Sequence, residues 1–296
     1  MRVFLTGANG WIGSAIARDL IADGHKVVGL VRTPEKGEAF AAAGGNPLVG
    51  SLADVDLIRT AAGDTDGIIH TAFGLDLTKM RELAEEESRT IQAFGEAFAG
   101  TDRPIIVTGG VLLTPPGEVF QEDARPPVPP EFPRASEQSA FALAERGLKA
   151  MVVRNPRSVH GQGETHGFVP MLAAIAREKG VSAWVGEGDN LWPAVHRLDC
   201  ARVYTLALKR GLGGEAYHAI TEQGVPFRQI AEAIGRQLGL PSRSIAPDEA
   251  KAHFGGIAMF VAGNGPASSE RTRQTLGWEP REAGIVADVE RTDYSA

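Results

Sequence analysis

The sequence has one cysteine, few tyrosines and no long apolar run. Cys200 cannot form a disulfide within the chain, and only three of the 296 residues are tyrosine. No stretch approaches the ~18 apolar residues of a membrane-spanning helix, and the apolar run after Met1 is too short for a signal peptide. Basic residues number 30 against 37 acidic ones, and the net charge of −7 disfavours nucleic acid as a partner. We therefore expect a cytoplasmic protein without membrane or nucleic-acid partners.

Short apolar segments alternate with longer segments of helical periodicity through the first half of the chain. This alternation is typical of parallel strands joined by crossover helices, and it predicts an α/β fold with a doubly wound parallel sheet. The predicted strands span residues 2–6, 26–31, 47–49, 67–71, 104–108 and 149–154. The predicted helices span residues 11–22, 34–43, 52–61, 79–99 and 134–145. Four glutamates, Glu82, Glu85, Glu86 and Glu87, are interpreted as a solvent-exposed helix face.

Two later segments depart from this alternation. Residues 114–133 hold seven of the 18 prolines, so we predict a long surface loop that could cover a binding site. After Arg154 glycine and proline punctuate shorter elements, including strands predicted near 182–185 and 215–219 and helices near 167–179, 198–209 and 226–238. This part is predicted to be a smaller α+β lobe.

Three glycines lie between a buried strand and a helix in the segment Thr6-Gly7-Ala8-Asn9-Gly10-Trp11-Ile12-Gly13. Glycine allows a tight turn there, lets a pyrophosphate approach the backbone, and leaves the helix N-terminus facing the phosphates. The alternative is a purely structural glycine turn that binds no ligand. We favour the dinucleotide-binding turn of a Rossmann-type sheet. Its candidate cofactor-binding residues are Gly7, Asn9, Gly10, Trp11, Ile12 and Gly13.

The second predicted strand ends in a basic residue. An acidic side chain about 20 positions past the glycines would bind a free ribose 2′-hydroxyl, whereas Arg32 could pair with a 2′-phosphate. The alternative is that Arg32 only solvates a loop. We expect NADP(H) to be preferred, with NAD(H) possible. The predicted division is a dinucleotide-binding domain over 1–155 and mainly a substrate-binding lobe over 156–296, with about 190–220 returning to the sheet.

The G-x-x-G-x-x-G spacing resembles that of the extended short-chain dehydrogenase/reductase superfamily, which includes epimerases and dehydratases of nucleotide sugars. Further segments are similar to motifs of that superfamily in the same order, beginning at Gly50-Ser51-Leu52, Asp66-Gly67-Ile68, Arg154-Asn155-Pro156 and Trp192-Pro193-Ala194. The resemblance covers residues 2 to about 205. It implies further cofactor-binding residues, namely Ser51, Leu52, Thr71, Ala72, Phe73, Thr108, Pro156, Arg157 and Ser158.

The catalytic motif of that superfamily is missing. Its reductases use a tyrosine as proton donor with a lysine four residues on, yet Tyr204 and Tyr217 are followed at that spacing by Leu208 and Thr221, and Tyr294 lies two residues from the end. The aligned positions hold Pro133 and Glu137, and Gly110 stands where a catalytic hydroxyl is expected. The chain therefore resembles atypical members that keep the glycines and lack the Tyr-x-x-x-Lys motif.

Three residues are candidates for the missing chemistry. His160 could supply a proton or be a structural histidine, and Thr108 could orient a substrate oxygen or be an ordinary strand residue. Glu137 could act as an acid if burial raised its pKa, or be an exposed helical glutamate. No metal is expected, because His196 and Asp199 lack a third ligand and are interpreted as part of a hinge between the lobes.

The candidate substrate pocket consists of Val111, His160, Phe168, Trp184 and Trp192, and ordinary core aromatics are the alternative. The leading interpretation is an NADP(H)-dependent oxidoreductase that reduces a small carbonyl, imine or activated alkene. A nonenzymatic NADP(H)-binding redox sensor is the second, and a nucleotide-sugar epimerase or dehydratase the third. The expected partners are a small-molecule substrate and, through the segments 79–99 and 134–145, a second copy of the chain in a homodimer.

Overall fold

Seven parallel strands form the central sheet of the computed structural model, which describes residues 1–74, 79–128 and 133–294. The strands are β1 (Arg2–Thr6), β2 (Lys26–Val31), β3 (Asn46–Val49), β4 (Gly67–His70), β5 (Ile105–Gly110), β6 (Ala150–Asn155) and β10 (Ala216–His218). Their order across the sheet is β10-β6-β5-β4-β1-β2-β3. The order reverses direction at β1, which is where open α/β sheets bind ligands beyond the carboxyl ends of their strands.

Helices cover both faces of this sheet. They are α1 (Trp11–Ala22), α2 (Pro34–Ala42), α3 (Val55–Gly63), α4 (Met80–Ala97), α5 (Ser136–Glu145) and, from later in the chain, α7 (Arg197–Arg210). The side chains of β5 alternate between two cores. Ile106 packs with α1 and α7, whereas Ile105 and Val107 pack with α3, α4 and α5.

The second lobe packs its own core beside the carboxyl edge of the large sheet. Its strands are β7 (Ser158–His160), β8 (Ser182–Val185), β9 (Leu191–His196), β11 (Glu222–Pro226) and β12 (Ser242–Ile245). Its helices are α6 (Phe168–Lys179), α8 (Phe227–Leu238), α9 (Ala250–Phe254), α10 (Ala258–Ala262) and α12 (Ile285–Arg291). The helix α11 (Glu270–Leu276) packs instead against α7 and β10 of the large sheet. The strands form a three-stranded sheet in the order β11-β9-β7 and a two-stranded sheet of β12 and β8.

The predicted α/β fold with a doubly wound parallel sheet is confirmed. Each predicted strand of the first half appears with its ends shifted by no more than two residues. The strand predicted near 215–219 joins the large sheet as β10, beside β6. None of the described helices is long and apolar enough to cross a membrane.

The prediction for the acidic helix face is wrong for one of its four residues. Glu82 and Glu85 are exposed on α4, but Glu87 is completely buried and paired with Arg134. A charged side chain can be buried when a partner of opposite charge is buried with it, and that partner lies 47 residues away.

The predicted proline-rich loop contains no helix among its described residues, and its first part is fixed to the second lobe. The backbone N–H of Thr114 donates to Asn264, and that of Phe120 donates to Pro266. The carboxylate of Glu122 accepts hydrogen bonds from the backbone N–H and hydroxyl of Thr272. The segment from Thr114 to Glu122 therefore serves as a strap between the lobes. Residues 129–132, which the lid hypothesis also covered, lie outside the described residues.

Candidate functional site

The turn between β1 and α1 is packed so tightly that only glycine fits at two of its positions. A Cβ added to Gly13 would lie 2.0 Å from the carbonyl oxygen of Gly7. Gly7 itself has a φ of +70°, and a Cβ there would lie 2.6 Å from the hydroxyl of Thr71. Gly10 is exposed and forms the N-cap of α1 without a side-chain hydrogen bond. The first N–H groups of α1 thus point beyond the sheet edge, as an anion-binding helix N-terminus requires.

The end of β4 closes this turn from the other side. The hydroxyl of Thr71 donates to the carbonyl oxygen of Thr6 at 2.8 Å, and the backbone N–H of Ala72 donates to the hydroxyl of Thr6 at 3.3 Å. Asn9 extends the turn toward α2 because its side chain donates to the carbonyl oxygen of Lys36 at 3.0 Å. The glycines therefore form a rigid cradle that fits the diphosphate of a dinucleotide.

Trp11 faces the second lobe rather than the open edge of the cradle. Its indole N–H donates to the carbonyl oxygen of Val159 at 2.6 Å, and the guanidinium of Arg197 lies 3.9 Å from its ring centre. Only backbone groups of Trp11 and Ile12 are therefore suited to the diphosphate. The indole instead joins the glycine turn to β7.

At the opposite end of the cradle, Arg32 is exposed directly after β2 and makes no ion pair with any described residue. Its guanidinium is available for an anion. Ser51 follows β3, and both its backbone N–H and its hydroxyl donate to the carboxylate of Asp54, at 2.8 and 3.1 Å. Leu52 accepts a hydrogen bond from Thr90 through its carbonyl oxygen. The hydroxyl of Ser51 is thus already engaged within its own turn.

A chain of buried polar groups runs beneath the cleft and was missed from the sequence. Thr6 Oγ1 lies 2.7 Å from Nδ1 of His70, and Nε2 of His70 lies 3.6 Å from the carboxylate of Glu87. Arg134 binds that carboxylate through two nitrogens and stacks over Phe73 at 4.0 Å. Burial alone would raise the pKa of Glu87, but hydrogen bonds from His70 and Arg134 hold it below its usual range. The Glu87 carboxylate is therefore ionised, and its bonds to His70 and Arg134 join β4 to α4.

Thr108 faces α7 rather than the open cleft. Its hydroxyl donates to the carbonyl oxygen of His70 at 2.7 Å and lies 2.9 Å from the hydroxyl of Tyr204. The amide of Asn155 donates to the same tyrosine oxygen at 2.9 Å. Burial raises the pKa of Tyr204, and its hydroxyl is held by Thr108 and Asn155, so Tyr204 is unsuited to replace the missing tyrosine. The trio joins β5, β6 and α7.

Glu137 lies in the position of the missing lysine, but it belongs to a buried ion pair. Arg154 binds its carboxylate through Nε and one terminal nitrogen, at 2.8 and 2.5 Å. The same guanidinium donates to the carbonyl oxygens of Gln121, Glu122 and Ala124. The interpretation of Glu137 as an exposed helical glutamate is wrong, because only 9% of the residue is accessible. Through this ion pair, Glu137 and Arg154 join α5, β6 and the loop residues Gln121–Ala124.

His160 is paired with a carboxylate that the sequence did not reveal. Its Nδ1 lies 2.9 Å from the carboxylate of Asp288, which is 128 residues away on α12. Its Nε2 is buried and has no hydrogen-bond partner among the described residues. The ring meets that of His196 edge to face, with centres 5.6 Å apart. An aspartate that holds one imidazole nitrogen fixes the direction of the other, so Nε2 of His160 is oriented, although only 1% of the residue is accessible.

Glu164 should make the protein less stable as the pH rises. Burial, helped by the nearby charge of Asp288, raises the pKa of Glu164 from 4.5 to about 8. The folded chain therefore keeps a proton that the unfolded chain has already lost, so the free energy of unfolding falls as the pH rises from 4.5 to about 8. Replacing Glu164 by Gln removes this titration. Between pH 5 and 8 the free energy of unfolding should fall in both proteins. We expect the fall to be smaller in the variant than in the wild type by at least ~1 kcal/mol, since one pKa unit corresponds to ~1.4 kcal/mol.

Urea denaturation at the two pH values measures this difference. Glu187→Gln is the matched control, because Glu187 is exposed and the same charge is removed. Equal pH dependence in the Glu164 variant and the wild type would contradict the assignment of this titration to Glu164.

Three of the predicted substrate-pocket residues, Phe168, Trp184 and Trp192, belong to the core cluster of the second lobe. Phe168 and Trp192 pack edge to face in the core of the second lobe, with ring centres 5.4 Å apart. Trp184 lies on the two-stranded sheet, beside Gly188 and Arg228. Val111 belongs to a separate small cluster with Phe120. Trp192 is completely buried, so it does not line an open pocket directly and can only support residues that do.

Arg157 and its neighbours lie at the seam between the lobes. Pro156 is buried, and the hydroxyl of the buried Ser158 has no partner among the described residues. The guanidinium of Arg157 stacks over Trp192 at 4.9 Å and donates to the carbonyl oxygen of Leu191 at 3.4 Å. Burial lowers the pKa of Arg157 to about 10, and no described carboxylate lies within ion-pair distance. These groups can donate hydrogen bonds to a ligand in the seam.

The residues considered for a metal or hinge have structural partners. His196 caps α7 by accepting a hydrogen bond from the backbone N–H of Leu198. Asp199 accepts hydrogen bonds from the backbone N–H groups of Arg281 and Glu282 and pairs with Arg202. Within residues 1–74, 79–128 and 133–294 no three histidine, cysteine or acidic side chains are grouped as metal ligands. Asp199 thus anchors the C-terminal segment to α7, whereas His196 caps that helix.

Comparison with known proteins supports a dinucleotide-binding role for the glycine cradle. The model of a family described as NAD(P)H-binding matches residues 7–178. An uncharacterized protein of Schizosaccharomyces pombe is 42% identical over 99% of this chain and 100% of its own length. A 4-hydroxy-2-methyl-3-oxo-4-farnesyl-3,4-dihydroquinoline-1-oxide ketoreductase of Stigmatella aurantiaca is 28% identical over 81% of this chain and 74% of its own.

The fold is shared with solved structures at lower identity. The dTDP-glucose 4,6-dehydratase DesIV from Streptomyces venezuelae, solved with NAD, superposes with a TM-score of 0.78. The match covers 100% of this chain and 96% of DesIV at 20% identity. Likeness at this level of identity concerns the fold alone.

Proposed function

The chain belongs to the NAD(P)H-binding family, within the extended short-chain dehydrogenase/reductase superfamily, and from this premise we propose that it is an NADP(H)-dependent oxidoreductase. Its substrate is a small carbonyl compound, imine or activated alkene. The observation that carries the proposal is the glycine cradle, in which the contacts of Gly7 and Gly13 leave no room for a side chain. The ketoreductase from Stigmatella aurantiaca is a relative whose name describes such a reduction.

In this proposal the residues around the cleft position the reactants and supply a proton. A reduced nicotinamide, when bound, supplies the hydride that the substrate carbon accepts. His160 gives a proton from Nε2 to the substrate oxygen or nitrogen, and Asp288 holds its ring through Nδ1. Arg157 donates hydrogen bonds to the substrate from the seam.

The proposal predicts oxidation of NADPH by a substrate of these classes. We expect the absorbance of the reduced nicotinamide to fall when the protein is mixed with NADPH and members of a panel of ketones, aldehydes, imines and enones. Protein denatured before mixing controls for spontaneous oxidation. Failure of every panel member, despite saturable NADPH binding, would contradict the proposed reductase.

Arg32 should determine the preference for NADPH over NADH. The exposed guanidinium after β2 can form charge-assisted hydrogen bonds with a 2′-phosphate, which NADH lacks. Arg32→Ala should therefore weaken NADPH binding by about 10-fold and leave NADH binding within about twofold. Calorimetric titration with both cofactors measures the ratio. Arg243→Ala removes an exposed arginine elsewhere and serves as control. An unchanged ratio in Arg32→Ala would show that Arg32 does not select the cofactor.

The second candidate function is a redox sensor that binds the nucleotide without turnover. It is favoured by the contacts of Thr108 and Glu137, both of which are engaged in buried structural bonds. A sensor would bind NADPH and NADP+ with clearly different affinities and would not oxidise NADPH with any panel member. A homodimer through α4 and α5 belongs to both proposals, and the mass of the protein in solution tests it.

A further inference from the structure

A cavity of about 410 Å³ lies on the flank of the molecule, and its lining includes His196 and Asp288, which both contact the ring of His160. It opens between α1, the start of α7 and the segment that leads into α12. Its lining residues are Arg18, Gln162, His196, Arg197, Leu198, Arg281, Glu282, Ala283, Asp288 and Arg291. We call it the flank cavity.

Four arginines line the flank cavity in a chain whose net charge is −7. Only two carboxylates share the lining, and each is held by another group. Asp288 is paired with His160, and Glu282 lies 3.4 Å from Arg202. Arg18, Arg281 and Arg291 make no ion pair with any residue in the described part of the chain. The four guanidinium groups outnumber the two carboxylates, so the positive charge of the cavity is only partly neutralised from within.

The arginines lie close enough to repel one another. Partial burial lowers the pKa of Arg197, and the charge of Arg18 lowers it further. Arg197 uses one terminal nitrogen to donate to Ser14 and stacks on Trp11, while its Nε is buried without a partner. An excess of cations over carboxylates raises the free energy of the folded state, and a bound anion would relieve that cost.

We propose that the flank cavity binds a small polyanion that carries two or more phosphate or carboxylate groups. Arginine suits both groups because its planar guanidinium donates two parallel hydrogen bonds to either. Two arginines from the C-terminal segment, Arg281 and Arg291, face two from the helices, Arg18 and Arg197. A ligand with anionic groups at both ends would bridge the C-terminal segment to α1 and α7.

This site is separate from the cradle that the proposed function uses. The cradle lies at the N-terminus of α1, whereas Arg18 follows Trp11 by two helical turns on α1. The flank cavity would bind its ligand whether or not the protein reduces a substrate. The N-terminus of α7 is not the basis of the site, since His196 already accepts the N–H of Leu198 there.

Calorimetric titration of the full chain with citrate and with pyrophosphate tests the proposal. We expect saturable binding of at least one of them, with one ligand per chain. Arg281→Gln/Arg291→Gln should weaken that binding by about 10-fold for each arginine removed, because each loses charge-assisted hydrogen bonds. Both side chains are exposed and unpaired among the described residues, so the variant should melt as the wild type does.

Arg146→Gln/Arg243→Gln is the matched control, because it removes the same charge from exposed positions outside the cavity. Binding within about twofold of the wild type in this control, and weakened binding in the cavity variant, would support the site. If both double variants lost affinity for the anion equally, the loss would be explained by the change in net charge alone, and the proposal would be overturned. No saturable binding of either anion at millimolar concentration would overturn it as well. Binding of citrate but not pyrophosphate would assign the site to carboxylates, and the reverse to phosphates.

Discussion

Gly13→Ala should weaken NADPH binding by at least ~100-fold, which corresponds to ~3 kcal/mol of binding free energy. The added Cβ would lie 2.0 Å from the carbonyl oxygen and 2.8 Å from the carbonyl carbon of Gly7. Both are backbone atoms that cannot rotate away, so α1 must move from β1 and carry its first N–H groups with it. The diphosphate then loses the groups that the cradle presents.

The same substitution should also reduce stability. Forcing a methyl group into a packed turn costs ~1–3 kcal/mol, and Gly13 lies in the core between α1 and the sheet. Urea denaturation measures this cost, and calorimetric titration with NADPH at a temperature where the variant is folded measures the affinity. Gly63→Ala is the matched control, since its added Cβ meets no atom within 4 Å. Wild-type affinity in Gly13→Ala would contradict the placement of the diphosphate at this turn.

The parts of this site that could be predicted from the sequence are local ones. The glycine spacing, the strand before it and the helix after it lie within one short segment, and their geometry follows from backbone sterics. Their predicted bounds, 2–6 and 11–22, agree with β1 and α1. Arg32 was placed correctly at the end of β2 for the same reason, because the strand pattern alone fixes where it ends.

The buried charge pairs could not be predicted, because their partners are far apart in the chain. Glu87 meets Arg134 across 47 residues, and His160 meets Asp288 across 128. One signal was available, since Arg154 follows an apolar run in a predicted central strand, and a charge there needs a buried partner. That Glu137 is the partner depends on how α5 packs on β6, which periodicity does not specify.

His160→Gln should lower kcat for the best panel substrate by ~100- to 1000-fold, the range that a general acid usually contributes. Glutamine keeps a polar side chain of similar reach but has no imidazole ring to transfer a proton. NADPH affinity should stay within about twofold, because the cradle contacts lie on β1, β4 and α1. His166→Gln is the matched control, since the His166 ring is exposed and its Nδ1 lies 2.8 Å from the hydroxyl of its neighbour Thr165.

Asp288→Asn separates a catalytic histidine from one that only packs. Asp288 acts as a positioning residue through Nδ1 of His160, so its loss should lower kcat by less than the loss of the imidazole does. The double variant should then be no slower than His160→Gln alone, because the two residues act as one unit. If instead the two losses multiply, or if His160→Gln lowers the melting temperature without changing kcat, the pair is structural. The proton would then come from another group or from water, and the proposed role of His160 would be wrong.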